Sequence, residues 1–158
     1  MGREKNKKIT KFQLVVMGIF LLSALGIQLW QYRTKTITLV LGGETIELIV
    51  AKSSRQKQTG LGGRDDIGRY DGMIFVGFTP GRLGVVMREM RFPIDVIWFR
   101  EGKVVDIAPS LPNLPAAPEA ELPVYYPRAE ADIFLELPAG WVAAHNIKLG
   151  DELTLPPG

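Results

Sequence analysis

Hydrophobic and polar positions follow three rhythms along this chain. The first is continuous: "KFQLVVMGIFLLSALGIQLWQYR" is apolar from Phe12 to Trp30, interrupted by Gln13, Ser23 and Gln28. Roughly 20 such residues, at about 1.5 Å rise each, cross a hydrocarbon core of about 30 Å, so residues 12–32 are predicted to form a transmembrane anchor. The second rhythm has period two. In "KTITLVLGGETIELIVA", Ile37, Leu39 and Leu41 share a face before Gly42-Gly43, and Ile46, Leu48 and Val50 share one after it, which predicts a β-hairpin. "PIDVIWFREGKVVDIAP" predicts a second hairpin turning at Glu101-Gly102, and "GMIFVGF", "GVVMREM", "ADIFLELP" and "LGDELTL" supply further strands. The third rhythm is proline: residues 109, 112, 115, 118, 123 and 127 are all Pro. The three-residue spacing of the first four suits polyproline II, which is extended and has no internal hydrogen bonds. This stretch is expected as a long crossover loop on the surface. Its functional alternative is a cover over a pocket, touching the ligand through Tyr125 and Tyr126, because long loops often carry function.

Only one helix is signalled beyond the anchor. Ser53 and Gln56 have capping-box spacing, and Gly60, Gly62 and Gly63 end whatever follows, leaving about two turns. Roughly seven or eight short strands with one short helix predict a mainly β fold, a compact barrel-like or folded-sheet domain over residues 36–155. The transmembrane helix precedes it, after a basic stub at residues 1–11.

Charge orients the arrangement. Arg3, Lys5, Lys7, Lys8 and Lys11 precede the apolar run, while Arg33 and Lys35 follow it. The positive-inside rule then places the N-terminus in the cytoplasm and residues 34–158 outside as a single-pass protein, with Trp30 and Tyr32 at the outer interface. Two alternatives are a cleavable signal peptide ending near Ala24-Leu25-Gly26 and a buried core helix. The formal net charge of +2 suggests a nucleic-acid partner until the chain is divided. Residues 34–158 hold 13 Lys and Arg against 16 Asp and Glu, so the positive excess belongs to the stub, where it suits anionic lipid. Membrane lipid along residues 12–32 is therefore an expected partner and nucleic acid is not. The absence of cysteine removes disulfides, thiolate zinc sites and cysteine nucleophiles together.

Candidate chemistry narrows to carboxyl groups. Gly60, Gly62 and Gly63 lack the Gly-Lys-Ser/Thr of a phosphate loop, and Asp65, Asp66 and Asp71 lack the alternating spacing of a calcium loop. No metal and no cofactor are expected. His145 is the sole histidine and has no nucleophile elbow to serve. Asp95 follows Pro93-Ile94 and sits among Val96, Ile97, Trp98 and Phe99, and Glu136 lies between Leu135 and Leu137. A carboxylate among such neighbours needs a partner. Two carboxyls in a partly dry cleft could serve as acid and base in glycoside hydrolysis. The structural alternative pairs them with Arg64, Arg88 or backbone amides. For Asp95 the expected partner lies in the block around Arg64, tying the "GLGGR" turn to the "FPID" strand.

The order of three segments, "TGLGGRDDIGRYDGMIF", "VVMREMRFPIDVIWF" and "LELPAG", resembles the bacterial and archaeal family catalogued as domain of unknown function 192. The likeness rests on Gly60, Leu61, Arg64, Gly72, Met73 and Phe75, on Met87, Pro93 and Asp95, and on Leu135, Glu136, Pro138, Ala139 and Gly140. This chain departs from the family pattern at Gly62, Val86, Glu89 and Met90. The resemblance implies a compact, mostly β fold, often exported or membrane-anchored, and brings no established reaction. The function expected is a binding or interaction module for a small molecule or envelope component, with Arg64, Arg88, Asp95, Tyr125 and Tyr126 as binding residues. The alternative is an enzyme acting on an envelope saccharide or similar polar substrate through Asp95 and Glu136.

Overall fold

The computed structural model describes Gln13, residues 16–23 and residues 35–157. The chain divides into two compact units, Met1–Thr34 and Lys35–Gly158. In the first, residues 16–23 are helical. Among the described residues no helix is long and apolar enough to cross a membrane. The rest of the anchor predicted over 12–32, and the stub at 1–11, lie outside the described residues.

The second unit is mainly β. Strands β1 (Thr36–Leu41) and β2 (Glu44–Ala51) form the first predicted hairpin, with Leu41 opposite Glu44. Gly42 and Gly43 turn it at φ of 62° and 87°, a conformation glycine adopts without steric cost. Helix α1 (Ser54–Thr59) follows, with the Ser53–Gln56 capping box in place. The chain then returns as β3 (Gly72–Phe75), parallel to β2 with Leu48 opposite Gly72 and Ala51 opposite Phe75. Parallel neighbours cannot share a tight turn, so α1 and the glycine turn after it serve as the crossover.

Strands β5 (Ile94–Arg100) and β6 (Lys103–Leu111) form the second predicted hairpin, with Arg100 opposite Lys103. Two short strands, β4 (Val85–Val86) and β7 (Val124–Tyr125), pair only with each other. "GVVMREM" therefore contributes two strand residues where a longer strand was expected. β8 (Ile133–Pro138) inserts between β5 and β3, and β9 (Leu153–Thr154) joins β1. The large sheet runs β6-β5-β8-β3-β2-β1-β9. It curls until its two edges meet at one end: the Val104 amide donates to the Asp151 carbonyl at 2.9 Å, and the Leu153 amide to the Gly102 carbonyl at 2.8 Å.

Both faces of the sheet are covered, which is why β5 reads as a nearly unbroken apolar run. One face holds Leu39, Leu41, Ile46, Leu48, Ile97, Phe99, Leu135 and Leu137. A second short helix that the sequence did not signal, α2 (Trp141–Ala144), buries Val142 in this layer. The other face holds Ile49, Met73, Phe75, Ile94, Val96, Trp98 and Phe134. It is covered by Leu61, Val85, Met87 and Met90 from the connections. The proline-rich stretch is mostly irregular, as expected, with one 3-10 turn at Glu119–Glu121 before β7.

Candidate functional site

Register decides what the two candidate carboxyls can do together. Along the β5–β8 ladder Asp95 lies opposite Leu137, and Val96 opposite Glu136. Residues directly opposite share a face of the sheet, and faces alternate along each strand. Asp95 therefore projects to the face of Ile97, Phe99 and Leu137, and Glu136 to the face of Val96 and Phe134. The sheet itself separates them, so the predicted acid–base pair is not assembled.

Asp95 is fully buried. Its Oδ1 accepts the amides of Ser110 at 2.8 Å and Gly140 at 3.2 Å, and its Oδ2 accepts that of Val142 at 2.8 Å. A partner was expected in the block around Arg64, and the amides come instead from β6 and the "LPAG" turn into α2. Ser110 is held there at φ 51°, a left-handed conformation that costs a non-glycine residue energy and that the carboxyl bond stabilises. Asp95 is thus a staple joining the end of β6, the start of α2 and β5.

The link to the glycine turn falls to Glu136. Its Oε2 accepts the Leu61 amide at 3.3 Å, its one hydrogen bond among the described residues. Gly60 turns the chain over this carboxyl at φ 55°, and a Cβ there would stand 3.0 Å from Oε2 and 3.2 Å from Oε1. Burial pushes the Glu136 carboxyl up from its ordinary 4.5 to about 7, and the Leu61 amide offsets only part of that. No Lys, Arg or His among the described residues lies within salt-bridge distance of it.

Beside Glu136 is a cavity of about 40 Å³, room for one to a few waters. Its walls are Lys57, Gln58 and Thr59 from the last turn of α1, then Gly60 and Leu61. Gly84, Val85 and Val86 at β4, Met90 after it, Ile94 of β5 and Phe134 of β8 complete it. Each of the three segments singled out in the sequence reaches this cavity. Phe134 stacks on Phe75 at 4.3 Å between ring centres and lies 5.9 Å from Phe78. The ammonium of Lys57 sits 4.1 Å from the centre of the Phe78 ring.

None of the remaining predicted residues lines the cavity. Arg88 donates from Nη1 to the Gln58 carbonyl at 3.2 Å and from Nε to Glu119 at 2.6 Å, so it clamps the proline-rich stretch to the end of α1. Tyr125 pairs with Val85 and braces β4 from behind. Tyr126 is exposed and lies close to Gly84, where a Cβ would be 2.7 Å from its ring. The expected cover does meet the pocket wall, through β7, but neither tyrosine faces the cavity. Arg64 is exposed, and its side chain makes no hydrogen bond or ion pair among the described residues. The aspartates of the glycine turn serve separate local bonds: Asp65 with Arg91, Asp66 with the Gly68 amide and Asp71 with the Glu47 amide. No metal-ligand cluster occurs among the described residues. His145 stacks on Trp141 and bonds its carbonyl. Sequence reasoning missed Lys57, Thr59, Val85, Ile94 and Phe134 as cavity residues; helix capping placed α1, but nothing local brings its last turn to β8.

Comparisons with known proteins bear on the fold. A protein of unknown function from Novosphingobium aromaticivorans DSM 12444 is similar in structure, with a TM-score of 0.65 and 23% identity over 77% of this chain and 86% of that one. A putative transcription regulator from Sinorhizobium meliloti 1021 is similar with a TM-score of 0.63 and 23% identity, over 76% of this chain and 93% of that one. No curated protein matches the chain. The model of the DUF192 family, described as "Uncharacterized ACR", matches residues 37–155, which is the whole of the curled sheet except Thr36. The chain belongs to the DUF192 family.

Proposed function

We propose that residues 35–157 form a binding module that takes a small polar group into the Glu136 cavity. One observation carries this reading: a buried carboxyl with a single amide bond faces a cavity on which three separate segments converge. A carboxyl that only fixed the fold would be expected to be saturated by amides, as Asp95 is. The separation of Asp95 from Glu136 by the sheet removes the geometric support for a two-carboxylate hydrolase. The anchor over residues 12–32 and the outward placement of the domain belong to the same proposal, supported by the apolar run and the basic residues before it.

Two experiments test it. The full chain in detergent, labelled with ¹⁵N, is titrated with a panel of small amines, amides, alcohols and carboxylates. Saturable shifts of the Gly60, Leu61 and Ile94 amides are expected for at least one class, and no movement of these amides with any class would overturn the binding reading. For placement, a topology reporter fused after Gly158 should be active outside the cytoplasm; activity confined to the cytoplasm would overturn the outward orientation.

A further inference from the structure

We infer that the group taken by this cavity is a small ammonium, with Glu136 as its counter-ion; this rests on the cavity being a binding site. Glu136 is 6% exposed and lines the cavity without a cationic partner among the described residues. A ligand cation would supply the missing charge and a charge-assisted hydrogen bond, about twice as strong as a neutral one. Three features of the walls agree. The last turn of α1 lines the cavity through Lys57, Gln58 and Thr59, and the partial negative charge at a helix's carbonyl end favours cations. Phe134 offers an aromatic surface, and the same cluster already holds the Lys57 ammonium over Phe78. At about 40 Å³ the cavity has room for a terminal ammonium and its adjoining carbon.

α1 contributes Lys57, which is engaged with Phe78, and β8 contributes Glu136 itself. Gly84, Val85 and Val86 at β4, Met90 after it and Ile94 of β5 are uncharged; between the two strands Arg91 pairs with Asp65 and Glu89 lies near Gly63. Arg88 is turned to the Gln58 carbonyl and Glu119. The pH dependence of ammonium binding near neutrality therefore belongs to Glu136.

The full chain in detergent is titrated with methylammonium chloride, and separately with acetamide, a small neutral molecule, while the Leu61 amide is followed. Methylammonium stays cationic between pH 6 and 8, whereas a carboxyl titrating at about 7 goes from mostly protonated to mostly ionised. Affinity should rise about tenfold over that interval, and acetamide affinity should not rise. Glu136→Gln should lose methylammonium binding at least tenfold at pH 8 and lose its pH dependence. Should that variant fail to fold, the wild-type profile against acetamide decides alone. Nα-acetyl-lysine methylamide adds a third arm: tighter binding than methylammonium assigns the ammonium to a lysine side chain of a partner, and weaker binding to a free amine. If acetamide moves Leu61 and methylammonium does not, the ammonium inference fails while the binding site stands. If Glu136→Gln still binds methylammonium with the wild-type pH profile, the inference fails as well. If no probe moves Leu61, both fall.

Discussion

Replacing Glu136 by Gln isolates one buried ionisation. In the folded chain burial raises this carboxyl from 4.5 to about 7, so between those values the native state holds a proton that the unfolded chain has released. Stability falls with rising pH wherever the native state binds more protons. The contribution of Glu136 is thus fully present below about pH 4.5, is lost as pH rises to about 7, and is flat above. At about 1.4 kcal/mol per tenfold change in the proton equilibrium, the interval from 4.5 to about 7 amounts to about 3 kcal/mol. Gln keeps an oxygen for the Leu61 amide and has no proton to exchange. Urea unfolding of both proteins at pH 4 and pH 8, followed by tryptophan fluorescence, should show Glu136→Gln gaining about 3 kcal/mol relative to wild type on going from pH 4 to pH 8. Trp98, buried beside Val96 on the same face, is a suitable reporter. Parallel stability profiles for the two proteins would refute the claim that Glu136 is buried without a counter-charge.

Asp95→Asn should destabilise by about 2–4 kcal/mol in the same unfolding assay at pH 8, because its amide group would point a donor at one of three backbone donors; an unchanged midpoint would reject the staple. Gly72→Ala should cost about 3 kcal/mol, at the upper end of overpacking, since its Cβ would lie 2.4 Å from the Glu136 carbonyl oxygen; a variant as stable as wild type would mean the β3–β8 pair can spread. Arg88→Ala should cost less than about 1 kcal/mol, because the ion pair with Glu119 is solvent-exposed. It should nevertheless speed amide hydrogen exchange at Glu121 and Leu122, and unchanged exchange there would show that the clamp does not hold the stretch.

Local signals carried the elements they govern. The Gly42-Gly43 and Glu101-Gly102 hairpins, the Ser53 cap and the glycine stop at Gly60 each depend on residues within one turn, and all are where the sequence places them. Burial of Asp95 and Glu136 was also legible, from the apolar residues on either side. What was hidden is what depends on pairing between distant strands. Nothing near Glu136 says that Val96, rather than Asp95, lies opposite it, and a slip of one residue would have put both carboxyls on one face. The exchange of roles between them follows from that single register. α2 escaped notice because four residues after Gly140 carry too little periodicity to distinguish a helical turn from a loop. The parallel placement of β3 beside β2 likewise depends on a crossover whose direction no local pattern encodes.

The meeting of β6 and β9 at the seam of the curled sheet also governs when folding can finish. β9 is the last strand along the chain and pairs with β1, the first, while Asp151 and Leu153 bond Val104 and Gly102. Until residues 151–154 have been synthesised, β1 has one open flank and the start of β6 another. Closure over so long a separation is slow, and open strand flanks invite pairing with other chains. A nascent chain would therefore carry an open β1 edge through most of its translation, and a second at β6 once Lys103–Leu111 has been made. Its vulnerable interval ends only with β9.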